Sequence, residues 1–129
     1  MDYSNSKVII IDDDPTTRRI VARLVKQIGF KEFIEAENGQ QAYELMQESD
    51  FDLILSDLDM PIMDGLELLE KVRENEKLKS IPFIMVTAND SKDNIMKAVK
   101  AHVSQYIVKP FTASALKEKI AKVLDQEEK

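Results

Sequence analysis

Six polar side chains stand where four apolar runs of the sequence end, and their types suit metal binding and group transfer. They are Asp12, Asp13, Asp57, Asp59, Thr87 and Lys109. Two carboxylates about 4 Å apart repel each other by roughly 4 kcal/mol at an effective dielectric near 20. If Asp12, Asp13 and Asp57 converge with only Lys109 nearby, they therefore require a cation. Carboxylate oxygens without imidazole or thiolate select magnesium or manganese, so the pattern predicts a divalent metal site.

A metal of this kind favours phosphoryl chemistry, because magnesium in proteins commonly keeps waters and shares a phosphoryl oxygen. A carboxylate can attack phosphorus to give an aspartyl phosphate, while a metal, an ammonium and a hydroxyl stabilise the equatorial oxygens. Asp57 fits the nucleophile, Lys109 the ammonium and Thr87 the hydroxyl. Asp14 has a simpler interpretation, since an aspartate before Pro15 is typical of a helix cap.

The elements that must position these side chains alternate between strands and helices. The run at residues 7–11 is apolar and β-branched, as in a strand buried on both faces of a parallel sheet. The predicted strands cover residues 7–11, 33–36, 52–57, 82–87 and 105–108. The predicted helices cover residues 15–28, a segment with Ala42, Leu45 and Met46, residues 64–74, residues 91–101, and a segment with Leu116, Ile120, Val123 and Leu124.

Five strands alternating with five helices predict an α/β fold, a doubly wound parallel sheet with helices on both faces. Such sheets bind ligands beyond the carboxyl ends of their strands, which is where the polar side chains stand. We predict a single domain over residues 1–129, with a frayed helix end at residues 125–129. Four methionines are interpreted as core fillers or loop packing: Met60, Met63, Met85 and Met96.

The composition excludes several classes of function. The 129 residues include no cysteine and one histidine, His102, which removes disulfides and zinc sites built from thiolates or paired imidazoles. A formal charge of -6 disfavours nucleic acid as a direct ligand. No apolar run could span a bilayer and the N-terminus lacks a secretory signal. We therefore expect a cytoplasmic protein with no membrane contact. We also expect a monomer.

Four dispersed motifs resemble those of response regulator receiver domains, in particular the single-domain chemotaxis regulators. They are Asp12 and Asp13 after the first strand, Ser56 and Asp57 followed by MPIMDG at 60–65, VTA at 86–88, and YIVKPF at 106–111. The resemblance covers about residues 7–124. It implies a flavodoxin-like, five-stranded sheet with the strand order 2-1-3-4-5.

The resemblance also implies a role for each polar side chain. Asp57 would accept a phosphoryl group from a histidine kinase or a small phosphodonor, and Lys109 would pair with that group. Mg²⁺ would be held by Asp13 and Asp57 directly, by Asp12 through water, and by the backbone carbonyl of Asp59. Self-phosphorylation and slow autodephosphorylation would be the only reactions, so we do not expect an enzyme.

A conformational switch and a partner surface follow from the same resemblance. Thr87 would move to hydrogen-bond the phosphoryl group, and Tyr106 would turn inward into the space that Thr87 leaves. The peptide bond between Lys109 and Pro110 would be cis. The flagellar motor switch protein or another phosphorelay protein would bind a surface on helix four, strand five and helix five. That surface includes Lys92, Ile95, Tyr106, Lys119 and Lys122, although lysines at helical spacing are also typical of a solvated face.

Three positions depart from the family pattern. Asp59 and Asn89 lie two residues after Asp57 and Thr87. The family tends to tune hydrolysis at these positions, so we expect this pair to set the lifetime of the phosphorylated state. His102 stands where receivers usually carry glycine in a left-handed turn. Because that conformation is harder for histidine, we expect a reshaped turn, or an imidazole that caps the helix dipole.

Other interpretations remain open from the sequence. Asp57 and Asp59 after an apolar strand have the spacing of nucleophile and acid in haloacid-dehalogenase-like phosphohydrolases. Pro61 and the early position of Asp12 and Asp13 argue against that family. The glycine motifs of P-loop nucleotidases and dinucleotide-binding domains are missing. Among receivers, a phosphorelay shuttle and a receiver excised from a longer regulator are the alternatives to a chemotaxis regulator.

Overall fold

The computed structural model describes residues 2–125, in which five strands alternate with five helices. The strands are β1 (Lys7–Ile11), β2 (Glu32–Ala36), β3 (Leu53–Ser56), β4 (Phe83–Thr87) and β5 (Gln105–Val108). The helices are α1 (Pro15–Ile28), α2 (Gly39–Glu48), α3 (Gly65–Glu74), α4 (Lys92–Lys100) and α5 (Ala113–Leu124). The predicted alternation is confirmed. Pro82 lies outside β4, because proline has no N–H to donate to the ladder.

The strands form one parallel sheet in the order β2-β1-β3-β4-β5, as the resemblance implied. Because the chain passes from β2 across β1 to β3, the order reverses between β1 and β3, where open sheets leave a crevice. The register aligns the strand ends, with Ile11 opposite Ser56 and Thr87 opposite Val108. The residues that follow these pairs therefore meet at one edge of the sheet, the carboxyl edge.

Two hydrophobic cores fill the space between the sheet and its helices. One core lies under α1 and α5, and the other lies under α2, α3 and α4. Alternate residues of β1 serve the two cores: Val8 and Ile10 pack toward α1 and α5, whereas Ile9 and Ile11 pack toward the other three helices. This double burial explains why the first apolar run is uninterrupted.

The aspartate before α1 is a helix cap, as predicted. The carboxylate of Asp14 accepts hydrogen bonds from the hydroxyl of Thr17 at 2.6 Å and from the N–H of Thr16 at 3.2 Å. These bonds, chiefly the one from Thr17, lower the pKa of Asp14. Its carboxylate is thereby used at the helix terminus, which separates Asp14 from the chemistry of the two aspartates before it.

The turn after α4 keeps a left-handed residue, so the expectation of a reshaped turn at His102 was wrong. His102 has a φ of 67°. Its N–H bonds to the carbonyl of Val99, and the next N–H bonds to that of Ala98, both at 3.0 Å, as in a Schellman motif. Arg73 braces the turn, since its Nε donates to the His102 carbonyl at 2.9 Å and its NH1 donates to that of Ile81 at 2.7 Å. These bonds help to offset the roughly 1–2 kcal/mol that left-handed geometry costs a residue other than glycine.

Candidate metal and phosphoacceptor site

Three carboxylates converge at the carboxyl edge of β1 and β3. Asp12 and Asp13 follow β1, Asp57 follows β3, and one oxygen of each lies within 4.8 Å of the others. Asp12 is 4% exposed and Asp57 is 9% exposed, whereas the side chain of Asp13 is open to solvent. The structure therefore brings together the three aspartates that the sequence singled out.

Lys109 reaches this cluster from the end of β5. Its Nζ lies 2.8 Å from Oδ2 of Asp12 and 3.6 Å from Oδ2 of Asp57. Its backbone N–H donates to the carbonyl of Thr87 at 2.9 Å, and its peptide bond to Pro110 is cis, as expected. One ammonium thus faces three carboxylates, which leaves two negative charges uncompensated.

The hydrogen bonds within the cluster suit a divalent cation. Both oxygens of Asp12 have partners, since Oδ1 accepts from the N–H of Asp14 at 2.9 Å and Oδ2 accepts from Lys109. Oδ1 of Asp57 accepts from the N–H of Leu58 at 2.7 Å, and Oδ2 forms the longer ion pair of 3.6 Å with Lys109. The donors are all oxygens and the excess charge is that of two carboxylates, so the residues fit Mg²⁺.

Asn89 forms hydrogen bonds with three other predicted site residues, Thr87, Asp59 and Tyr106. Its N–H donates to the hydroxyl of Thr87 at 3.2 Å, and its side-chain amide donates to the carboxylate of Asp59 at 3.3 Å. Its carbonyl accepts a hydrogen bond of 2.8 Å from the hydroxyl of Tyr106. Two of these contacts use the backbone of Asn89, so its residue type in the sequence gave no sign of them.

Tyr106 is half-buried and packs against the core under α2, α3 and α4. Burial raises the pKa of Tyr106, and the carboxylates of Asp59, Asp57 and Asp90 raise it further. The phenol is therefore protonated at neutral pH, as its donated hydrogen bond to Asn89 requires. Its position depends on the loop between β4 and α4, which also carries the bond to Thr87.

Comparison with known proteins agrees with this geometry. Residues 8–121 match the family described as response regulator receiver domain. The chain is 43% identical over 122 residues to the chemotaxis protein CheY-3 of Vibrio cholerae, covering 95% of this chain and 94% of that relative. The chain belongs to the response regulator receiver family. Receiver domains are signalling proteins that pair with histidine kinases and bind Mg²⁺ at an acidic pocket.

Solved structures with the same fold come from proteins with different outputs. The chemotaxis protein CheY4 of Vibrio cholerae has a TM-score of 0.85 and 30% identity, over 92% of this chain and 98% of that one. A DNA-binding response regulator of the LuxR family from Staphylococcus aureus has a TM-score of 0.84 and 32% identity, with the same coverage. The fold by itself therefore does not identify the output.

The expected partner surface of this receiver occupies α4, β5 and α5. Lys92 and Lys122 are exposed, Ile95 and Lys119 are half-buried, and Nζ of Lys119 donates to the side chain of Gln105 at 3.3 Å.

Met96 is 59% exposed, so its interpretation as core or loop packing was wrong. Met63, Met85 and Met60 do pack in or against the core.

No helix within residues 2–125 is long and apolar enough to cross a membrane.

Two residues around the site were not assigned a role from the sequence. A Cβ on Gly65 would collide with the carbonyl oxygen of Asp57, so α3 can begin this close to Asp57 only with glycine. Arg18 of α1 donates from NH1 to the carbonyl of Asp12 at 2.6 Å. Gly65 is the last residue of the MPIMDG motif at 60–65. The sequence does not show its contact with Asp57, which forms only when α3 packs beside β3.

Proposed function

We propose that this receiver is a phosphoacceptor switch in which Asp57 takes a phosphoryl group from a histidine kinase. One observation carries the proposal: the oxygens of Asp12, Asp13 and Asp57 lie within 4.8 Å of one another, with Nζ of Lys109 2.8 Å from Asp12. Such a cluster repels itself without a cation. The same cation and ammonium can neutralise the oxygens of a phosphoryl group.

The metal site uses four residues in this proposal. Asp13 and Asp57 ligate Mg²⁺ directly, Asp12 holds it through water, and Asp59 contributes its backbone carbonyl. The bound ion supplies charge neutralisation for the phosphoryl oxygens. The excess negative charge of the three carboxylates over the one ammonium of Lys109 supports this assignment.

Phosphoryl transfer exchanges one bond to phosphorus for another. An oxygen of Asp57 attacks the phosphorus as the bond from phosphorus to the kinase histidine breaks, and the released imidazole takes up a proton from water. Lys109, whose Nζ is 3.6 Å from Oδ2 of Asp57, pairs with a phosphoryl oxygen. Because the side chain of Asp57 is largely buried, these charge interactions act with little screening by solvent.

The switch follows from the hydrogen bonds around Asn89. The hydroxyl of Thr87 moves to donate to the phosphoryl group and so gives up the N–H of Asn89, which lies 3.2 Å away in the structure. The carbonyl of the same residue holds the hydroxyl of Tyr106 at 2.8 Å, so a shift of this loop repositions the tyrosine. The phosphorylated state is thereby favoured in a two-state equilibrium.

The output partner binds the surface formed by Lys92, Ile95, Tyr106, Lys119 and Lys122. The identity of 43% to CheY-3 supports chemotaxis control in the cytoplasm, with the flagellar motor switch protein as partner. Binding of purified motor switch protein by the phosphorylated form alone would support this assignment. Transfer of the phosphoryl group to a histidine of another protein would instead favour a phosphorelay shuttle.

Asp59 and Asn89 set the phosphoryl lifetime in this proposal. The side-chain amide of Asn89 donates to the carboxylate of Asp59 at 3.3 Å, and the two residues lie two positions after Thr87 and Asp57 in the sequence, which supports this assignment. We expect Asp59→Asn and Asn89→Ala to change the dephosphorylation rate, which is measured after removal of the phosphodonor. Rates equal to that of the wild type in both variants would contradict this assignment.

The decisive experiment is intact-mass analysis after incubation with acetyl phosphate and MgCl₂. We expect a single phosphoryl adduct on the wild type, no adduct on Asp57→Ala, and none without Mg²⁺. Asp14→Asn is the control, because the Asp14 carboxylate caps α1 and its loss should leave the adduct in place. Release of phosphate without an adduct would favour the dehalogenase-like hydrolase, and no adduct with no release would contradict phosphorylation altogether.

A further inference from the structure

Arg18 connects the loop that carries the metal-binding aspartates to the neighbouring strand. Its NH1 donates to the carbonyl of Asp12 at 2.6 Å, and its Nε pairs with the carboxylate of Glu35 at 2.9 Å. The Arg18 side chain is only 16% exposed, and Glu35 lies in β2. The planar guanidinium is thus fixed between two acceptors, a geometry that suits arginine and that lysine cannot reproduce.

The contact completes the restraint of Asp12. The N–H of Asp12 donates to the carbonyl of Ala36 at 3.1 Å, and its two carboxylate oxygens accept from Asp14 and Lys109. Arg18 supplies the partner of the remaining polar group, the carbonyl. That carbonyl belongs to the peptide unit joining Asp12 to Asp13, so its orientation sets the orientation of the Asp13 backbone.

We propose that Arg18 is a positioning residue for Mg²⁺: it holds the peptide between Asp12 and Asp13 so that both carboxylates face the ion. This inference rests on the proposed metal site. Asp13 itself is exposed and makes no hydrogen bond within the described residues, so its direction depends on the backbone that Arg18 restrains. Arg18 does not touch the ion or the phosphoryl group.

Positioning and simple electrostatics predict opposite effects when Arg18 is replaced. A positive charge near a cation site repels the cation, so loss of that charge alone would tighten Mg²⁺ binding. Loss of the restraint would weaken it, because residues that orient metal ligands typically contribute 10-fold or more to affinity. The sign of the change therefore separates the two explanations.

The test is an NMR titration of backbone amides with MgCl₂, which gives the dissociation constant for each variant. We expect Arg18→Met, which keeps a long apolar side chain without donors, to weaken binding by about 10-fold. Arg19→Met is the matched control, since it removes the same charge from the adjacent, exposed position of α1. It should bind Mg²⁺ as tightly as the wild type or slightly more tightly.

Two further measurements make the outcome specific. Positioning predicts that the phosphorylation rate of Arg18→Met recovers at saturating Mg²⁺, whereas general damage to the fold would lower it at every concentration. If Arg18→Met does not fold, Arg18→Lys replaces it, with weaker binding expected because one ammonium cannot serve both acceptors. Binding equal to or tighter than that of Arg19→Met would overturn the inference alone. A wild type that binds no Mg²⁺ would overturn the proposed metal site as well.

Discussion

Helices α3 and α4 pack against the same face of the sheet, but they bury very different amounts of side chain. Leu68, Leu69 and Val72 of α3 are fully buried, whereas Ala98 is the only buried residue of α4. Full burial of a Leu or Val side chain contributes about 1.5–3 kcal/mol. The core therefore holds α3 more firmly than α4.

The outer face of α4 carries exposed apolar side chains. Met96 and Val99 are 59% and 61% exposed, and they lie three residues apart on the helix. In the proposed function, these two exposed apolar side chains would contact the output partner. A helix with one small buried residue can shift or bind at little cost to the core. In the proposed function, α3 therefore supports Asp57 and α4 responds to phosphorylation.

Leu69→Ala tests the role of α3 and should have the largest effect. Removal of a fully buried leucine leaves a cavity, so we expect the free energy of unfolding to fall by about 2–5 kcal/mol. Urea denaturation followed by circular dichroism measures the change. Val99→Ala on α4 is the control, with an expected change within about 0.5 kcal/mol. Similar losses in the two variants would refute the contrast between the helices.

Gly65→Ala tests whether α3 supports Asp57 directly. The new Cβ would meet the carbonyl oxygen of Asp57, so we expect a loss of about 1–3 kcal/mol and slower phosphorylation by acetyl phosphate. Gly39→Ala is the matched control, because its Cβ would lie 2.7 Å from the carbonyl oxygen of Met63 instead. We expect a comparable loss of stability there with normal phosphorylation. Equal rates in the two variants would remove the link between α3 and Asp57.

The titration of Tyr106 tests the contact that ties β5 to the loop before α4. Because the folded state raises the pKa of Tyr106, the resulting stability is fully present below the unfolded value of about 10 and is lost as pH rises through the folded value. The difference in ultraviolet absorbance between wild type and Tyr106→Phe should therefore titrate above a free tyrosine. A difference that titrates like free tyrosine would mean that the ring is not held by the loop.

Substitutions on the outer face of α4 should have the smallest effect on stability. We expect Met96→Ser and Val99→Ser each to change the free energy of unfolding by no more than about 0.5 kcal/mol, because both side chains are exposed. Both should weaken binding of the phosphorylated receiver to its output partner, measured by calorimetry. Ile20→Ser is the control, since Ile20 is 51% exposed on α1, away from that surface. A loss of binding confined to Ile20→Ser would place the output elsewhere.

Much of the fold was predictable because its signals are local. The β-branched run before Asp12, the Asp14 and Pro15 helix start, and the positions of all ten elements follow from residue type and spacing. The strand order came from the resemblance, since periodicity does not record which strands are neighbours. The turn at His102 was mispredicted because local preference disfavours a left-handed histidine, whereas Arg73 braces the turn from a distant part of the chain.

The sequence by itself determined the types and spacing of the polar groups: carboxylates after two strands, a hydroxyl at the last residue of a third and an ammonium after a fourth. Their positions at strand ends imply one edge of the sheet, because parallel strands align their carboxyl ends. Only the tertiary structure decided the contacts of Arg18 with Asp12, of Gly65 with Asp57, and of α4 with the sheet. Those contacts join backbone groups or residues far apart in the chain, and residue type and local periodicity carry no information about such pairs.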